Sequence, residues 1–140
     1  MCPHEGRKDT QSGKCFKFHP EKKLWKNARE ACQVWYHGDL ASIHNLATNA
    51  ILETIASESG EYDHAWIGAN SENPEGTWGW SDGTPMNYTN WSNENQDGNF
   101  AYHHAVINFQ SGEWYDMENG YKENFQVFKN SFICEYKHSK

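Results

Sequence analysis

Four cysteines, Cys2, Cys15, Cys32 and Cys134, constrain this 140-residue chain more than any other feature. None belongs to a C-x-x-C pair, so neither a zinc ribbon nor a thioredoxin-type redox motif is indicated. An even count in a small, aromatic-rich chain points to two disulfides and an oxidising compartment. Four cysteines allow three pairings. The most economical joins Cys2 to Cys15 across a short loop and Cys32 to Cys134 across most of the chain. Disulfides require export, and Met1 directly before Cys2 reads as an expression start in place of a removed leader. The length fits one domain, residues 1–140. Aliphatic residues are few, but seven Trp, seven Tyr and seven Phe can build a core, because each ring buries roughly 150–250 Å².

Charge and hydropathy exclude several classes. A formal net charge of −7 argues against nucleic acid, which calls for a basic footprint, and against an anionic membrane surface. No apolar run approaches the roughly 20 residues of a spanning helix. No nucleophile elbow, H-E-x-x-H motif or phosphate loop is present, so an enzyme is not expected. Two sequons, Asn87-Tyr88-Thr89 and Asn90-Trp91-Ser92, agree with export and make Asn87 and Asn90 glycosylation candidates.

The chain divides into a helical first part and a strand-rich second part. Residues 1–20 form a hairpin closed by Cys2–Cys15, with Cys15-Phe16-Lys17-Phe18 alternating as a strand does. Leu24 to Tyr36 reads as a helix whose inner face is Leu24, Ala28, Ala31, Cys32 and Trp35, with Gly38 as its stop. Leu40 to Ile43 is a short strand. Asn45 offers the N-cap of a second helix, running to about Ser57 and burying Leu46, Ala50, Ile51 and Ile55. Ala65 to Gly68, Ala105 to Phe109, Glu113 to Asp116 and Phe132 to Tyr136 are further strands. Between them, residues 69–104 show no strong period, and a stretch that long in a compact domain is usually functional. The order implies an α+β fold.

The motifs carry a family resemblance. Leu24-Trp25 through Cys32, then Leu40-Ala41-Ser42-Ile43, Trp66-Ile67-Gly68, Trp78-Gly79-Trp80-Ser81-Asp82-Gly83-Thr84-Pro85, Tyr88-Thr89-Asn90-Trp91 and Phe132-Ile133-Cys134-Glu135 occur in order over nearly the whole chain. Together they resemble the C-type lectin-like domain in its long form. That resemblance implies two helices flanking a small antiparallel sheet with a long irregular loop, and the pairings Cys32–Cys134 and Cys2–Cys15. The family's second cysteine pair, which braces the long loop, is missing. Its first member falls at Ala105, and its second near Asn119 or Gln126 depending on the direction of counting. The mismatch implies an insertion of about seven residues before the last strand. Loss of a brace that typically stabilises by roughly 2–4 kcal/mol implies a more mobile binding surface.

Sugar-binding members hold calcium in the long loop, and the sugar hydroxyls complete its shell of six to eight oxygens. By resemblance the ligand tripeptide falls on Asn95-Gln96-Asp97, the next ligand on His103, and the last motif on Trp114-Tyr115-Asp116. Gln96 replaces the proline whose cis bond orients its neighbours, and a non-proline cis bond costs about 2.5–4 kcal/mol. His103 suits zinc better than calcium. The oxygen set reduces to Asn95, Asp97 and Asp116, with Glu94 as a substitute, which is thin for calcium. A zinc site of His103, Asp97 and Asp116 is the sharper alternative, and no cofactor is established by these residues. An auxiliary calcium position has Ser71 and Glu75 but faces Gly98 and His104. Trp66, Trp78, Trp80 and Trp114 read as core, and Trp91 as core or rim.

These features lead to a secreted binding module that recognises carbohydrate with atypical or absent calcium dependence. Its ligand candidates are Glu94, Asn95, Asp97, His103, Tyr115, Asp116, Trp91 and Tyr102, with Tyr88 and Phe100 as further stacking surfaces. The alternative is a domain that has lost sugar chemistry and binds a cell-surface or extracellular protein, using Tyr121, Phe125 and Phe128 in the enlarged 117–131 loop.

Overall fold

The computed structural model describes residues 2–60, 63–96, 103–117 and 129–137. Its elements are β1 (Arg7–Lys8), β2 (Lys14–Lys23), α1 (Trp25–Tyr36), β3 (Asp39–Leu40), α2 (Leu46–Ser57), β4 (His64–Asn70), β5 (Gly79–Trp80), α3 (Asn93–Gln96), β6 (His104–Asn108), β7 (Trp114–Met117) and β8 (Asn130–Lys137). All eight strands join one sheet, ordered β1-β2-β8-β4-β6-β7, with β3 on β8 and β5 on β4. β4 and β8 pair in parallel; the other pairings are antiparallel.

β4 is the divider of the core. Residues Ala65 to Ala69 are all buried, as expected of a strand covered on both faces rather than one. Alternation then sends Trp66 to one side and Ala65, Ile67 and Ala69 to the other. Trp66 packs with Trp25, Ala28 and Cys32 of α1 and with Val106 and Phe132. Ile67 packs with Leu52, Ile55 and Ala56 of α2 and with Ile107 and Trp114. Two indole N–H groups fasten this layer: Trp25 Nε1 donates to the Ile67 carbonyl at 2.9 Å and Trp66 Nε1 to that of Lys23 at 2.8 Å. The disulfides are Cys2–Cys15 and Cys32–Cys134. The second spans 102 residues, and closing so long a loop in the unfolded chain is worth about 4–5 kcal/mol in the chain-entropy model.

Both helix faces are rotated from the expected ones. In α1 the buried residues are Trp25, Ala28 and Cys32. Trp35 is 42% exposed, lying on His19 with Lys23 Nζ 6.0 Å from its ring centroid. The left-handed C-cap is His37 (φ 54°), not Gly38. Gly38 is required for another reason: a Cβ there would sit 1.9 Å from the Glu135 carbonyl oxygen. In α2 the N-cap is Asn45, whose Oδ1 accepts from Thr48 N at 2.8 Å. Its inner face is Thr48, Asn49, Leu52, Ile55 and Ala56. Leu46 is 69% exposed, and Ala50 and Ile51 are outside the buried set. Polar contacts set that rotation. Thr48 Oγ1 donates to Asp9 in the N-terminal hairpin, and Asn49 bonds both Gly112 and Trp114. The segment expected as a strand over 40–43 is strand only at Asp39–Leu40. Ala41, Ser42 and Ile43 are nevertheless buried, and Gly68 N donates to the Ala41 carbonyl.

Where β2, β8 and the start of the long loop meet, the buried carboxyl of Glu135 lies with that of half-buried Asp82. Glu135 Oε1 accepts from Ser42 N at 2.7 Å and Lys14 Nζ at 3.0 Å, while Ser42 Oγ donates to Asp82 Oδ2 at 2.6 Å. Burial, followed by its hydrogen bond with Asp82, pushes Glu135 up to about 8. Burial also acts upward on Asp82, but hydrogen bonds with Glu135, Ser42 and Thr84 outweigh it and hold that carboxyl well below the usual carboxylate range.

Two predictions follow from these packing details. Asn49→Leu leaves the Trp114 indole N–H unpartnered, at about 1–3 kcal/mol, or about 4 °C of Tm per kcal/mol. Leu46→Ser on the same helix changes stability by less than about 0.5 kcal/mol. A thermal melt of both compares them directly; equal shifts would refute the inward assignment of Asn49. The second concerns pH. Glu135 is protonated in the fold at pH values where the unfolded chain, with the ordinary 4.5, has released its proton. At Glu135 the fold therefore binds more protons in that window, and this group's contribution to stability declines as pH rises from about 5 toward 8. The Tm difference between the native chain and Glu135→Gln, measured across that range, should shift against the native chain as pH rises.

Candidate functional site

The long-loop region expected over 69–104 is described up to residue 96, and aromatic packing pins this part to the sheet. Trp114, the first residue of β7, is fully buried. The rings of Trp80, Tyr88 and Trp91 meet it edge-on at centroid distances of 5.2, 5.9 and 5.5 Å, the geometry that opposes the positive edge of one ring to the negative face of the next. Its indole N–H donates to Asn49 Oδ1 at 2.7 Å. Its backbone serves the loop as well: Trp114 N donates to the Asn90 carbonyl at 2.8 Å, and its own carbonyl accepts from Ser92 N at 2.7 Å. One further clamp is the Gly112 carbonyl, which accepts from Asn49 Nδ2 at 2.9 Å and from Asn90 Nδ2 at 2.8 Å. The core assignment of Trp66, Trp80 and Trp114 holds, whereas Trp78 is half-buried and packs on Trp91 at 4.8 Å. Trp91 is likewise half-buried, at the rim.

The structure brings together two of the expected ligands, Asn95 and Asp116. The short helix α3 carries Asn95 against β7, where it is 3% exposed. Its amide Nδ2 donates to Asp116 Oδ1 at 2.9 Å, while its Oδ1 accepts from Ser92 Oγ and from Asp116 N, both at 3.4 Å. A calcium ion would need these oxygens directed at it, and here the amide nitrogen faces the carboxylate.

The other expected ligands are placed elsewhere. His103 is exposed, and its Nδ1 lies 2.9 Å from Ser71 Oγ. His104 is buried at 6%, with its Nε2 hydrogen-bonded to Glu72 Oε2 at 2.8 Å and its ring on Trp25. His103 and His104 thus line, with Ser71 and Glu75, the shallow pocket at the auxiliary position. Tyr115 turns its hydroxyl to His64 Nδ1 at 2.9 Å; burial holds that imidazole below its ordinary value. Asp97, Phe100 and Tyr102, the side chains of Glu94 and Gln96, and Tyr121, Phe125 and Phe128 lie outside the described residues. Among the described residues no three His, Cys, Asp or Glu side chains converge as a metal site, and of the expected oxygen ligands only Asn95 and Asp116 lie among them.

A groove of about 960 Å³ lies between β2, α1 and β8, with Ser81 and Asp82 of the loop's entry in its lining. Its polar groups are engaged with one another. Arg29 Nε and Nη2 bond the two Asp39 carboxylate oxygens, and Nη2 also donates to the Ser81 carbonyl, while Lys14 is taken by Ser42 and Glu135. This groove reads as a structural clasp. The sequence reading missed the tethers Asn49 and Asn90. The available signal was an asparagine in a helix interior, which demands a buried partner.

The Lectin C-type domain family model matches residues 21–136. Galactose-specific lectin nattectin from Thalassophryne nattereri is 39% identical over 119 residues, covering 84% of this chain and 74% of nattectin. Lectoxin-Enh3 of Pseudoferania polylepis is 29% identical over 130 residues, 91% of this chain and 80% of that protein. Among solved structures, human lithostathine superposes with a TM-score of 0.83 at 24% identity, covering 97% of this chain and 99% of lithostathine. No helix among the described residues is long and apolar enough to cross a membrane. With the two disulfides, the two-helix sheet architecture and the tryptophan-pinned loop, these matches place the chain in the C-type lectin domain family.

Proposed function

We propose that this lectin-family binding module is extracellular and recognises carbohydrate through the outer edge of its long loop without a conventional calcium bridge. The observation that carries the reading is the Asn95–Asp116 pair: at these two retained ligand positions the amide nitrogen donates to the carboxylate, and the amide oxygen accepts from Asp116 N and Ser92 Oγ. Sugar recognition without a cation relies on aromatic faces against C–H surfaces and on amides or carboxylates for hydroxyls. Trp91 and Trp78 at the rim supply half-buried rings packed on each other at 4.8 Å. Nattectin is named as galactose-specific, which makes galactose-terminated glycans the first probes.

Binding of the purified chain to a glycan panel in chelator and in millimolar calcium tests this. Expected is retention on at least one glycan class in chelator, with an affinity loss of about tenfold or more (roughly 1.4 kcal/mol) in Trp91→Phe. Binding that disappears in chelator would show that the loop does assemble a cation cage. Failure to bind any glycan in either condition would favour the protein-binding alternative. A parallel melt supports the first reading if neither calcium nor zinc raises Tm, since a cation bound only by the fold at 100 times its Kd adds about 2.7 kcal/mol.

A further inference from the structure

The two sequons of the long loop have asparagines three residues apart. In an extended segment, side chains alternate between faces, so an odd separation sets Asn87 and Asn90 on opposite sides. The burial pattern follows that rule. Pro85, Asn87 and Thr89 are exposed, while Met86, Tyr88 and Asn90 are half-buried, with Met86 and Tyr88 packed on the core. The first sequon therefore turns both its asparagine and its threonine to solvent. The second turns its asparagine inward, where Nδ2 donates to the Gly112 carbonyl at 2.8 Å and the backbone carbonyl accepts from Trp114 N.

We infer that Asn87 is the N-glycosylation site of the folded chain and that Asn90 is not modified. The inference rests on the extracellular reading, since the secretory pathway supplies the donor, a lipid-linked oligosaccharide diphosphate. In the transfer, Asn87 Nδ2 forms a bond to the sugar C1, the C1–oxygen bond to diphosphate breaks, and one amide proton is released. At Asn87 the product stands in solvent and no hydrogen bond of the fold changes. At Asn90 the same product would leave one hydrogen on Nδ2 and place a sugar ring where the loop meets the β6–β7 turn. There Gly112 is already shared with Asn49, and the rings of Trp91 and Trp114 stand 5.5 Å apart. Transfer meets the chain before it folds, so the discrimination acts on what folds: molecules modified at Asn90 lose the loop tether.

The test is to secrete the full chain from cultured animal cells behind a cleavable leader and map the glycans by mass spectrometry. Release by the amidase in heavy-oxygen water marks each formerly occupied asparagine as aspartate. Expected is one occupied site, Asn87, with Thr89→Ala abolishing the modification and Ser92→Ala leaving it intact. Occupancy of Asn90 in folded secreted protein, or no occupancy of Asn87, would overturn the inference. Should secretion be poor, refolded unglycosylated chain carries a second measurement. Asn90→Asp should lower Tm by several degrees and Asn87→Asp should not; equal effects would refute the inward and outward assignment. Glycan-panel binding by Asn87→Gln separates this result from the ligand reading, because that variant should bind as the native chain does.

Discussion

The burial of Trp114 is the interaction on which the long loop depends. A covalent brace is absent, and Ala105, where its first cysteine would stand, is a fully buried core residue. Trp114 fills the role by several independent contacts: three edge-on aromatic rings, an indole hydrogen bond to α2, and two backbone hydrogen bonds to residues 90 and 92. Each such ring contact is worth about 0.5–1.5 kcal/mol beyond the area it buries, so together they match the scale of a disulfide. The difference is that this brace works only in the folded state. It adds nothing to the constraint of the unfolded chain, and every residue in it must be correctly packed for the others to count.

That hub needs a rigid seat, and the sheet provides it. β8 pairs with β2, β3 and β4 at once, so the last strand of the chain lies at its centre. Cys134 on that strand is bonded to Cys32 of α1, which closes one face, while α2 closes the other through Leu52 and Ile55. A carboxyl pair, buried Glu135 and half-buried Asp82, links this scaffold to the loop. Glu135 comes from β8 and Asp82 from the loop's entry, and Ser42 and Lys14 bond between them. The pair keeps its proton because burial disfavours two negative charges in one small space. A titrating contact thus sits at the base of the loop, while the aromatic hub holds its middle.

The fold was largely legible because its determinants are ordered along the chain. Cysteine spacing, the Trp66-Ile67-Gly68 run and the Trp78-to-Pro85 motif are local patterns, and the pairing they imply is the one observed. The helix faces were read less well. Hydrophobicity placed Trp35 and Leu46 inside, but α1 turns Trp35 onto His19 and Lys23, and α2 turns inward the polar Thr48 and Asn49. A period in hydrophobicity cannot register a buried polar side chain whose partners lie elsewhere in sequence: Asn49 meets Gly112 and Trp114, 63 and 65 residues away. The same limit applied at the site. The positions of Asn95 and Asp116 could be read by resemblance, but the direction of the Asn95 amide depends on a contact across 21 residues.

That direction separates two tasks that a bound cation would combine. A cation in the loop both organises it and presents coordination sites to a ligand, and its binding free energy appears as folding free energy. Among the described residues Trp114, Asn49 and Asn90 supply contacts that organise the loop, while the Asn95 amide donates to the Asp116 carboxylate. A buried amide left facing a carboxylate with nothing between them would cost free energy comparable to a lost charged hydrogen bond; the 2.9 Å contact removes that cost. Recruiting a cation would require that contact to break and Asn95, 3% exposed, to turn its oxygen outward. With that contact in place the described part of the loop is held by Trp114, Asn49, Asn90 and the Asn95–Asp116 pair, and the rings of Trp78 and Trp91 lie half-buried at its rim.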